Sequence, residues 1–477
     1  MLATTPSPTN QDLPIYAELG RNTTDRADGE LAVSGKLPAD LAGVMYRNGP
    51  GLFHRGGSTR GTVLDGDGVV QRLALGDGTA RYARRFVRTP KFLAESAAGR
   101  AISPTWTTKA PGFFANVGGR VPSQASVTTY LIDGVLYALD EVAPGFELDP
   151  LTLETRGEAR LGLPDEDAFP KAHARYLAAS GDWLFASTRM GPRGMSIDFV
   201  RHCRHGRRIA TPGVRVPRMS YVHDFGATDR FAVVILQPAF LRALRYLSGW
   251  STFTDSLAWR PDEGNQVLVI DLASGAARRF EAPSSWVWHV ANGYERGDEL
   301  VVDFVGYADP GHFLGHDAQL AAVMRGEDGV RGAPGQLRRY VINQRAGTLT
   351  ESILSARNHE FPSIDPRAGG LPHGRIYTTH GRVAGILHSG IAALDPRTGE
   401  LDTFDFGLHV NALEPVFAAA RRGKPDEGWL ITQTLDTRRG TSGFAILDAR
   451  RIADGPVATI DLGETAPISF HGQWVAR

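Results

Sequence analysis

The chain has 477 residues, more than the roughly 100–200 residues of an ordinary domain, so it contains either several domains or one repetitive architecture. Its 52 basic and 52 acidic residues give a formal net charge of zero, and this balance argues against nucleic acid as a partner. The 42% of hydrophobic and 22% of charged residues are typical of a soluble, well-packed protein and favour neither disorder nor a membrane bundle.

The N-terminal residues 1–35 are predicted to be a loosely ordered lead-in to a single domain that covers residues 36–477. The polar start lacks the basic and apolar regions of a secretory signal, and no apolar run approaches the roughly 20 residues that cross a bilayer. The single cysteine, Cys203, excludes an internal disulfide framework. Together these features predict a cytoplasmic protein.

Short apolar strands that directly follow a polar turn recur along the domain. The 55 glycines and 29 prolines are scattered between β-branched and aromatic runs, which indicates many strands and turns. The recurring turns lie at Gly134, Gly181, Asp229, Gly297, Gly374 and Gly428. Hairpins repeated in this way predict an all-β architecture of blades with loops of unequal length on one face.

Three histidines share one position relative to these turns. His173, His223 and His289 each lie shortly before a turn, and therefore on the inner strand of a hairpin in a different blade. Radial repetition points equivalent positions of successive blades at a common axis. With His471 near the C-terminus, they would form a site of four imidazoles, suited to iron, copper, nickel or zinc and not to calcium or magnesium. Any one of them taken alone is also consistent with a core histidine bonded to a backbone carbonyl.

Three glutamates lie in apolar surroundings where a solvated carboxylate is unexpected. Glu141 follows an apolar strand, Glu360 precedes Phe361, and Glu414 precedes another apolar run. Buried carboxylates need partners, and histidines that bind metals usually donate their second ring N–H to a carboxylate or a carbonyl. The alternative for each glutamate is a position at a strand end that faces water.

Several phrases of the sequence identify a family resemblance. They are Gly43–Pro50, Leu64–Gly68, Arg85–Thr89, Ala172–His173, His223–Phe225, His289 with Asn292 and Glu295, Glu360–Pro362 with Asp365–Pro366, Glu414–Phe417, and Phe470–Gly472. In this order, from about Leu37 to the C-terminus, the chain resembles the carotenoid cleavage oxygenase family.

The resemblance implies a fold, a metal and a reaction. The fold would be a seven-bladed β-propeller with a cap of loops and short helices over an axial metal site. The metal would be Fe(II), bound by His173, His223, His289 and His471. Glu141, Glu360 and Glu414 would orient three of these histidines, and His173 would lack a glutamate. The implied reaction is the cleavage of a C=C bond of an apocarotenoid-like polyene by O2 to give two aldehydes, with no obligate protein partner.

The sequence departs from the family pattern at two positions. Asp140 precedes Glu141 at a position where many carotenoid-type members carry Trp and stilbene-cleaving members carry Lys, and Leu64 replaces an aromatic residue with no expected effect on the metal. The missing Lys counts against a lignin-stilbene substrate, whereas the missing Trp leaves the carotenoid assignment open, so a stilbene or phenylpropanoid substrate stays an alternative. A retinoid-type isomerase or hydrolase, and a propeller that only binds a ligand, are further alternatives. No residue is assigned to substrate binding from the sequence.

Two apolar segments, residues 105–114 and 240–250, carry aromatic residues and leucines with interspersed cations. Such segments either touch a membrane interface, which would make the protein peripheral, or pack into the cap. The basic run Arg201–Arg208 contains two histidines and a cysteine, but it lacks a fourth ligand. It is interpreted as a solvated loop.

Overall fold

The computed structural model describes residues 16–159, 161–163, 169–191, 194–216, 218–315, 318–327, 332–421 and 423–477. Seven antiparallel sheets are arranged as blades around a central axis, and two short two-stranded sheets lie outside them. The predicted all-β class and the seven-bladed β-propeller are confirmed.

The strands are numbered in chain order. Those of the N-terminal third are β1 (Arg26–Leu31), β2 (Val33–Gly35), β3 (Gly43–Leu52), β4 (His54–Arg55), β5 (Ser58–Thr59), β6 (Asp67–Gly76), β7 (Thr79–Phe86), β8 (Thr128–Ile132), β9 (Val135–Leu139), β10 (Phe146–Leu148) and β11 (Thr155–Glu158). Those of the middle third are β12 (Phe169–Leu177), β13 (Asp182–Gly191), β14 (Gly194–His202), β15 (Arg208–Val216), β16 (Phe225–Ala227), β17 (Phe231–Leu236), β18 (Ala239–Leu241), β19 (Leu257–Trp259), β20 (Asn265–Asp271), β21 (Ala277–Ala282), β22 (Trp286–Arg296) and β23 (Glu299–Tyr307).

The C-terminal third completes the sheets. Its strands are β24 (Gln336–Asn343), β25 (Thr348–Ser355), β26 (Asn358–Ser363), β27 (Ile376–Gly381), β28 (Gly390–Leu394), β29 (Leu401–Asp405), β30 (Val410–Ala412), β31 (Val416–Ala419), β32 (Gly428–Asp436), β33 (Thr441–Asp448), β34 (Pro456–Asp461) and β35 (His471–Ala476). The described helices are short. They are α1 (Tyr16–Leu19), α2 (Pro90–Ala98), α3 (Ala243–Leu247) and α4 (Gln319–Met324), with 3₁₀ turns at Val63–Asp65, Phe114–Asn116, Thr254–Ser256, Pro261–Glu263, Pro366–Ala368 and Ile452–Asp454.

The blades follow one another along the chain, and each is written here from its outer to its inner strand. Blade 1 is β1-β7-β6-β3-β35, blade 2 is β11-β10-β9-β8, blade 3 is β15-β14-β13-β12, blade 4 is β21-β20-β17-β16, blade 5 is β25-β24-β23-β22, and blade 6 is β29-β28-β27-β26. Blade 7 is β2-β34-β33-β32, with β30 and β31 as its interrupted inner strand.

Both ends of the chain close the ring. The last strand, β35, pairs with β3 in blade 1, with His471 opposite Asn48, and the N-terminal strand β2 pairs with β34 in blade 7. Residues 26–35 were predicted to belong to the lead-in, but they form the outer strands of blades 1 and 7. Their side chains are largely exposed, so the pattern shows no buried face, and only the backbone hydrogen bonds identify them as strands.

The core is divided among the interfaces between blades. Separate apolar clusters lie between blades 3 and 4, between blades 4 and 5, between blades 6 and 7, and between blades 7 and 1. Inner strands are covered on both faces, so β22 is buried from Trp286 to Tyr294 without the alternation of a half-exposed strand. Polar side chains on inner strands are therefore buried near the axis.

The Arg47-Asn48-Gly49 sequence joins blades at the axis. Asn48 Nδ2 donates to the carbonyls of Ala125 and Thr128, each at 2.9 Å, and Thr128 Oγ1 donates to the carbonyl of Ala172 at 2.5 Å. These bonds connect blades 1, 2 and 3. A Cβ atom on Gly49 would lie 2.2 Å from the carbonyl oxygen of Ile468, so glycine is required for this close approach.

Candidate metal centre

The four predicted ligand histidines meet at the axis. His173 lies on β12, His289 on β22 and His471 at the start of β35, whereas His223 lies two residues before β16. Each ring is 6–7% exposed. One nitrogen from each ring can be chosen so that all four lie within 4.8 Å of one another. Blades 3, 4, 5 and 1 therefore each place one imidazole at a common point.

The rings face one another edge to face. His173 Nε2 lies 3.1 Å from His223 Nε2. The centroid of the His173 ring is 4.5 Å from that of His471 and 5.2 Å from that of His289. The interplanar angles are 80° and 72°, so the rings do not stack.

The electrostatics of the cluster fit a bound cation. Burial, reinforced by the other three histidines, holds the pKa of His173 well below its usual range, so this imidazole is neutral at physiological pH. His289 Nε2 is buried and has no hydrogen-bond partner among the described residues. Such an orphaned acceptor costs free energy unless something binds it. Four imidazole nitrogens around one point fit a transition metal.

Glu360 fixes the orientation of His289. Its Oε2 lies 2.6 Å from His289 Nδ1 and also accepts from the backbone N–H of Phe361. Burial alone would raise the pKa of Glu360, but His289 outweighs it and lowers that pKa. The carboxylate therefore stays charged, accepts the Nδ1 proton and leaves Nε2 free to point at the axis.

The backbone at Phe361 is strained. Its φ of 51° is unusual for a residue other than glycine, and the register of β26 shifts at this point. The ring of Phe361 stacks on that of His289 with centroids 5.2 Å apart. The irregularity aims the carboxylate of Glu360 and the ring of Phe361 at the same histidine.

Glu414 has the same relation to His471. Its Oε1 lies 2.9 Å from His471 Nδ1, and its Oε2 accepts from the N–H of Gly472 at 2.8 Å. The buried Arg47 donates to the backbone carbonyl of Glu414 at 2.8 Å and to Ser469 Oγ at 2.6 Å. Arg47 thus anchors both the glutamate and the strand that begins with His471.

Glu141, which follows β9 in blade 2, lies against His223. Its Oε2 is 2.9 Å from His223 Nδ1, and the hydroxyl of Tyr221 lies 3.3 Å from the same nitrogen. Among the described residues, His173 is the one cluster histidine without a carboxylate against its ring. The three predicted glutamates therefore stand beside three of the four histidines.

A buried lysine next to Glu141 was missed by the sequence analysis. Lys171 Nζ lies 2.8 Å from Glu141 Oε1 and 3.1 Å from the carbonyl oxygen of Val222, and Lys171 is 5% exposed. The available signal was a cation inside the inner strand that carries His173, since a buried charge needs a partner of opposite sign. Glu141 therefore shares its charge between Lys171 and His223.

Asp140, which departs from the family pattern, forms its hydrogen bonds with backbone N–H groups. Its carboxylate accepts from the N–H groups of Glu141 at 2.7 Å, Gln124 at 2.8 Å and Ala125 at 3.0 Å. Burial is the largest influence on Asp140 and raises its pKa despite these bonds. The side chain holds the loop at Gln124 in place.

Two cavities of opposite character end on the histidine cluster. The first, here called the apolar cavity, has a volume of about 70 Å³ and touches His223, His289 and His471. The loops and the short helix α4 that supply most of its other walls are here called the cap. The other walls of the apolar cavity include Leu64, Trp106, Leu320, Leu387 and Phe470. Hydrocarbon side chains dominate this lining, so it favours an apolar ligand.

The second cavity, here called the axial channel, has a volume of about 430 Å³ and touches His173, His289 and His471. The inner strands of all seven blades line it, so it runs along the propeller axis on the side away from the cap. Its polar lining includes Arg175, Asp224, Asn292, Glu414 and Gln473. His173 borders only the channel, and His223 borders only the apolar cavity.

The Leu64–Gly68 phrase supports the cap. Asp65 accepts from the N–H of Thr107 at 3.0 Å and from Thr108 Oγ1 at 2.5 Å, and Asp67 lies 2.6 Å from Lys91 Nζ. Asp65 therefore holds the loop that carries Trp106, a wall of the apolar cavity, and Asp67 holds helix α2.

Comparisons with known proteins agree with this geometry. A sequence profile of the retinal pigment epithelial membrane protein (RPE65) family matches residues 20–476. The chain is 27% identical to apocarotenoid-15,15'-oxygenase of Synechocystis sp., with 93% of this chain and 92% of the relative covered. It is 26% identical to isoeugenol monooxygenase of Pseudomonas nitroreducens, with 94% and 95% covered.

A solved structure extends the likeness to the whole fold. The crystal structure of cobalt-substituted Synechocystis ACO superimposes with a TM-score of 0.91 at 25% identity, covering 98% of this chain and 99% of that one. The profile match spans nearly the entire chain, and the fold agrees from end to end. The chain therefore belongs to the retinal pigment epithelial membrane protein family, which is the carotenoid cleavage oxygenase family.

Proposed function

We propose that this protein is a non-haem Fe(II) dioxygenase that cleaves a C=C bond of an apocarotenoid-like polyene into two aldehydes. The observation that carries the proposal is a cluster of four buried imidazoles, three of which border an apolar cavity. Family membership and the likeness to a named apocarotenoid oxygenase support the same reaction. When bound, Fe(II) would supply the activation of O2.

The residues around the axis would hold and orient this metal. His173, His223, His289 and His471 would each present Nε2 to it. Glu141, Glu360 and Glu414 would accept the Nδ1 protons of three of these rings, which fixes their tautomers and makes them more basic ligands. The three carboxylates would also offset the charge of the cation, and Lys171 would reduce the contribution of Glu141.

The apolar cavity would position the substrate. Leu64, Trp106, Leu387 and Phe470 offer contact area but no charge, so they would align a hydrocarbon by shape and set which double bond reaches the metal. Trp106 packs edge to face against Phe253 at 6.2 Å, and Phe253 lines a neighbouring small cavity. A long polyene would extend through both cavities once these rings separate.

An exposed apolar patch would receive the substrate from a membrane. The two segments singled out in the sequence come together, and Phe113 packs edge to face against Trp250 at 6.3 Å. Phe114 and Leu244 are each 88% exposed, and Trp250 is 73% exposed. Tyr246, in the same segment, lines the neighbouring small cavity. The patch would dip into a lipid interface beside the substrate route, making the protein peripheral.

None of the described helices combines the length and the hydropathy that a membrane-crossing helix requires.

A stilbene or phenylpropanoid substrate is the second candidate. It is supported by the likeness to isoeugenol monooxygenase and by Lys171, which lines the neighbouring small cavity with Tyr221 and Tyr246. Tyr221 would contact a phenolic oxygen there, because the hydroxyl of Tyr246 already donates to the carbonyl of Gly119 and Lys171 donates to Glu141. The commitment of Asp140 to backbone N–H groups and of Lys171 to Glu141 favours the polyene instead.

A cleavage assay distinguishes the candidates. The protein is reconstituted anaerobically with Fe(II) and then exposed to O2 with a panel of apocarotenals and hydroxystilbenes, and the products are identified by mass. Aldehyde fragments from a polyene, lost in His471→Ala, are expected. Cleavage of hydroxystilbenes alone would favour the second candidate, and iron binding without any cleavage would overturn both.

A further inference from the structure

The histidine cluster lies between two cavities that suit different molecules. The apolar cavity brings hydrocarbon walls to His223, while the axial channel brings polar walls to His173. In the folded protein β35, which carries His471, is paired with β3, and the cluster is buried. A metal that exchanges with the folded protein has to pass through one of these cavities. One of the two routes must therefore admit a cation, unless the fold opens.

The lining of the axial channel suits a hydrated cation. Asp224 and Glu414 contribute two carboxylates against the single guanidinium of Arg175, so the charged groups of the lining are formally negative overall. Arg175 pairs with Asp224, and the amide side chains of Asn292 and Gln473 add dipoles. The volume of about 430 Å³ leaves room for the water that a divalent ion carries.

The apolar cavity is a poor route for the same ion. Its volume is about 70 Å³. The polar groups of its lining are three imidazoles, the amide of Asn411 and the indole N–H groups of Trp106 and Trp288, and the remaining lining side chains are apolar. A divalent cation would have to lose most of its water there, and removing an ion from water costs several kcal/mol even after relaxation. Passage from the cap side is therefore opposed by desolvation.

We propose that the axial channel is the route by which the metal enters and leaves the cluster, and that His173 is the ligand it meets first. His173 borders the channel and not the apolar cavity, and among the described residues it is the cluster histidine that no carboxylate holds. The proposal rests on the proposed function only in requiring a metal at this site. Substrate and metal then approach from opposite faces.

Obstructing the channel should slow metal exchange in both directions. Leu131→Trp and Ile364→Trp each enlarge a channel-lining side chain that is not part of the histidine cluster. A narrower path changes the rates of entry and exit by the same factor and leaves the equilibrium affinity unchanged. Leu387→Trp is the matched control, because it adds the same bulk to the apolar cavity.

The measurement uses Co(II) as the probe. The metal-free full chain is mixed with Co(II), uptake is followed by the visible absorption of the ion, and release is followed after adding a chelator. We expect uptake and release at least about tenfold slower in the two channel variants, with wild-type rates in Leu387→Trp. Circular dichroism identifies the variants that fold. One folded channel variant is enough for the test.

The outcomes separate this proposal from the proposed function. Wild-type rates in the channel variants, or slow exchange only in Leu387→Trp, would overturn the axial route and leave the dioxygenase proposal standing. Wild-type protein that takes up no Co(II) would remove the metal site, and with it both proposals.

Discussion

The axis of the propeller and the cap above it are built from different kinds of side chain. At the axis every blade supplies one imidazole or one carboxylate. In blade order these are His471, Glu141, His173, His223, His289, Glu360 and Glu414. The cap supplies mainly apolar walls, such as Leu64, Trp106 and Leu387.

The difference separates two tasks. The axial residues hold one another through hydrogen bonds and short contacts, so the position of each one depends on its neighbours from other blades. The cap residues touch the apolar cavity by van der Waals contact, which tolerates substitution as long as volume is preserved. Changes at the axis should therefore alter metal binding, whereas changes in the cap should alter which substrate reaches the metal.

The largest effect is expected from removing an axial imidazole. His289→Ala deletes one of four ligands and leaves Glu360 buried without its partner. We expect loss of stoichiometric metal after dialysis, measured by elemental analysis. His202→Ala is the control, because His202 is also buried but bonds to the carbonyl of Leu161 away from the axis. Full metal content in His289→Ala would contradict the assignment.

The next effect concerns the buried pair beside His223. Lys171→Met leaves the buried Glu141 with His223 as its remaining partner, and breaking a buried pair in this way costs about 3–5 kcal/mol. We expect a lower free energy of unfolding, measured by denaturant titration.

The double variant Lys171→Met with Glu141→Gln supplies the control for this pair. It should be less destabilised than the sum of the two single variants, since it leaves neither charge alone. Additive losses would show that the two residues act independently.

Neutralising a carboxylate that supports a ligand histidine should lower metal affinity less than removing a ligand does. Glu360→Gln keeps an oxygen near His289 Nδ1 but loses the charge, and substitutions of such supporting residues typically cost about 10–100-fold in metal affinity. Competition with a chelator of known affinity measures the change. An affinity equal to that of the wild type would show that Glu360 does not support the ligand.

A change in the cap should spare the metal. Leu387→Trp fills part of the apolar cavity. If the clash with a bound polyene costs about 1–3 kcal/mol, as overpacking does in a protein core, kcat/KM for a long polyene should fall by about 5- to 150-fold. Metal content should equal that of the wild type. Reduced metal content with unchanged kcat/KM would contradict the proposal that the axis binds the metal and the cap selects the substrate.

The smallest effect is expected at the exposed patch. Phe114→Ser removes a ring that is 88% exposed, so stability should change little. If the ring enters lipid only in part, vesicle binding should fall by a few-fold, because full burial of such a side chain contributes about 1.5–3 kcal/mol. Cosedimentation with phosphatidylcholine vesicles measures this change. Unchanged binding would show that the patch does not enter the interface.

The sequence was most informative where radial repetition applies. The turns after His173, His223 and His289 indicated equivalent positions on inner strands, and the structure brings these rings to one point. The glutamates were noticed because their neighbours are apolar. Such patterns depend on local spacing, which a sequence displays directly.

Long-range pairings were less accessible. Lys171 is two residues from His173 in sequence, but its partner Glu141 is in another blade. Residues 26–35 are polar and exposed, and their role as outer strands depends on pairing with β7 and β34. The axial channel arises from seven inner strands together. A single stretch of sequence shows at most a cation in an apolar strand, as at Lys171, and never the partner that it meets in another blade.

The most direct test of the account is the origin of the oxygen atoms in the products. The Fe(II)-reconstituted protein is given one polyene substrate under ¹⁸O2, and the aldehydes are trapped rapidly before they exchange with water and are weighed by mass spectrometry. The account predicts one ¹⁸O atom in each of the two aldehydes. Products that take oxygen from water, or turnover that proceeds without O2, would contradict it.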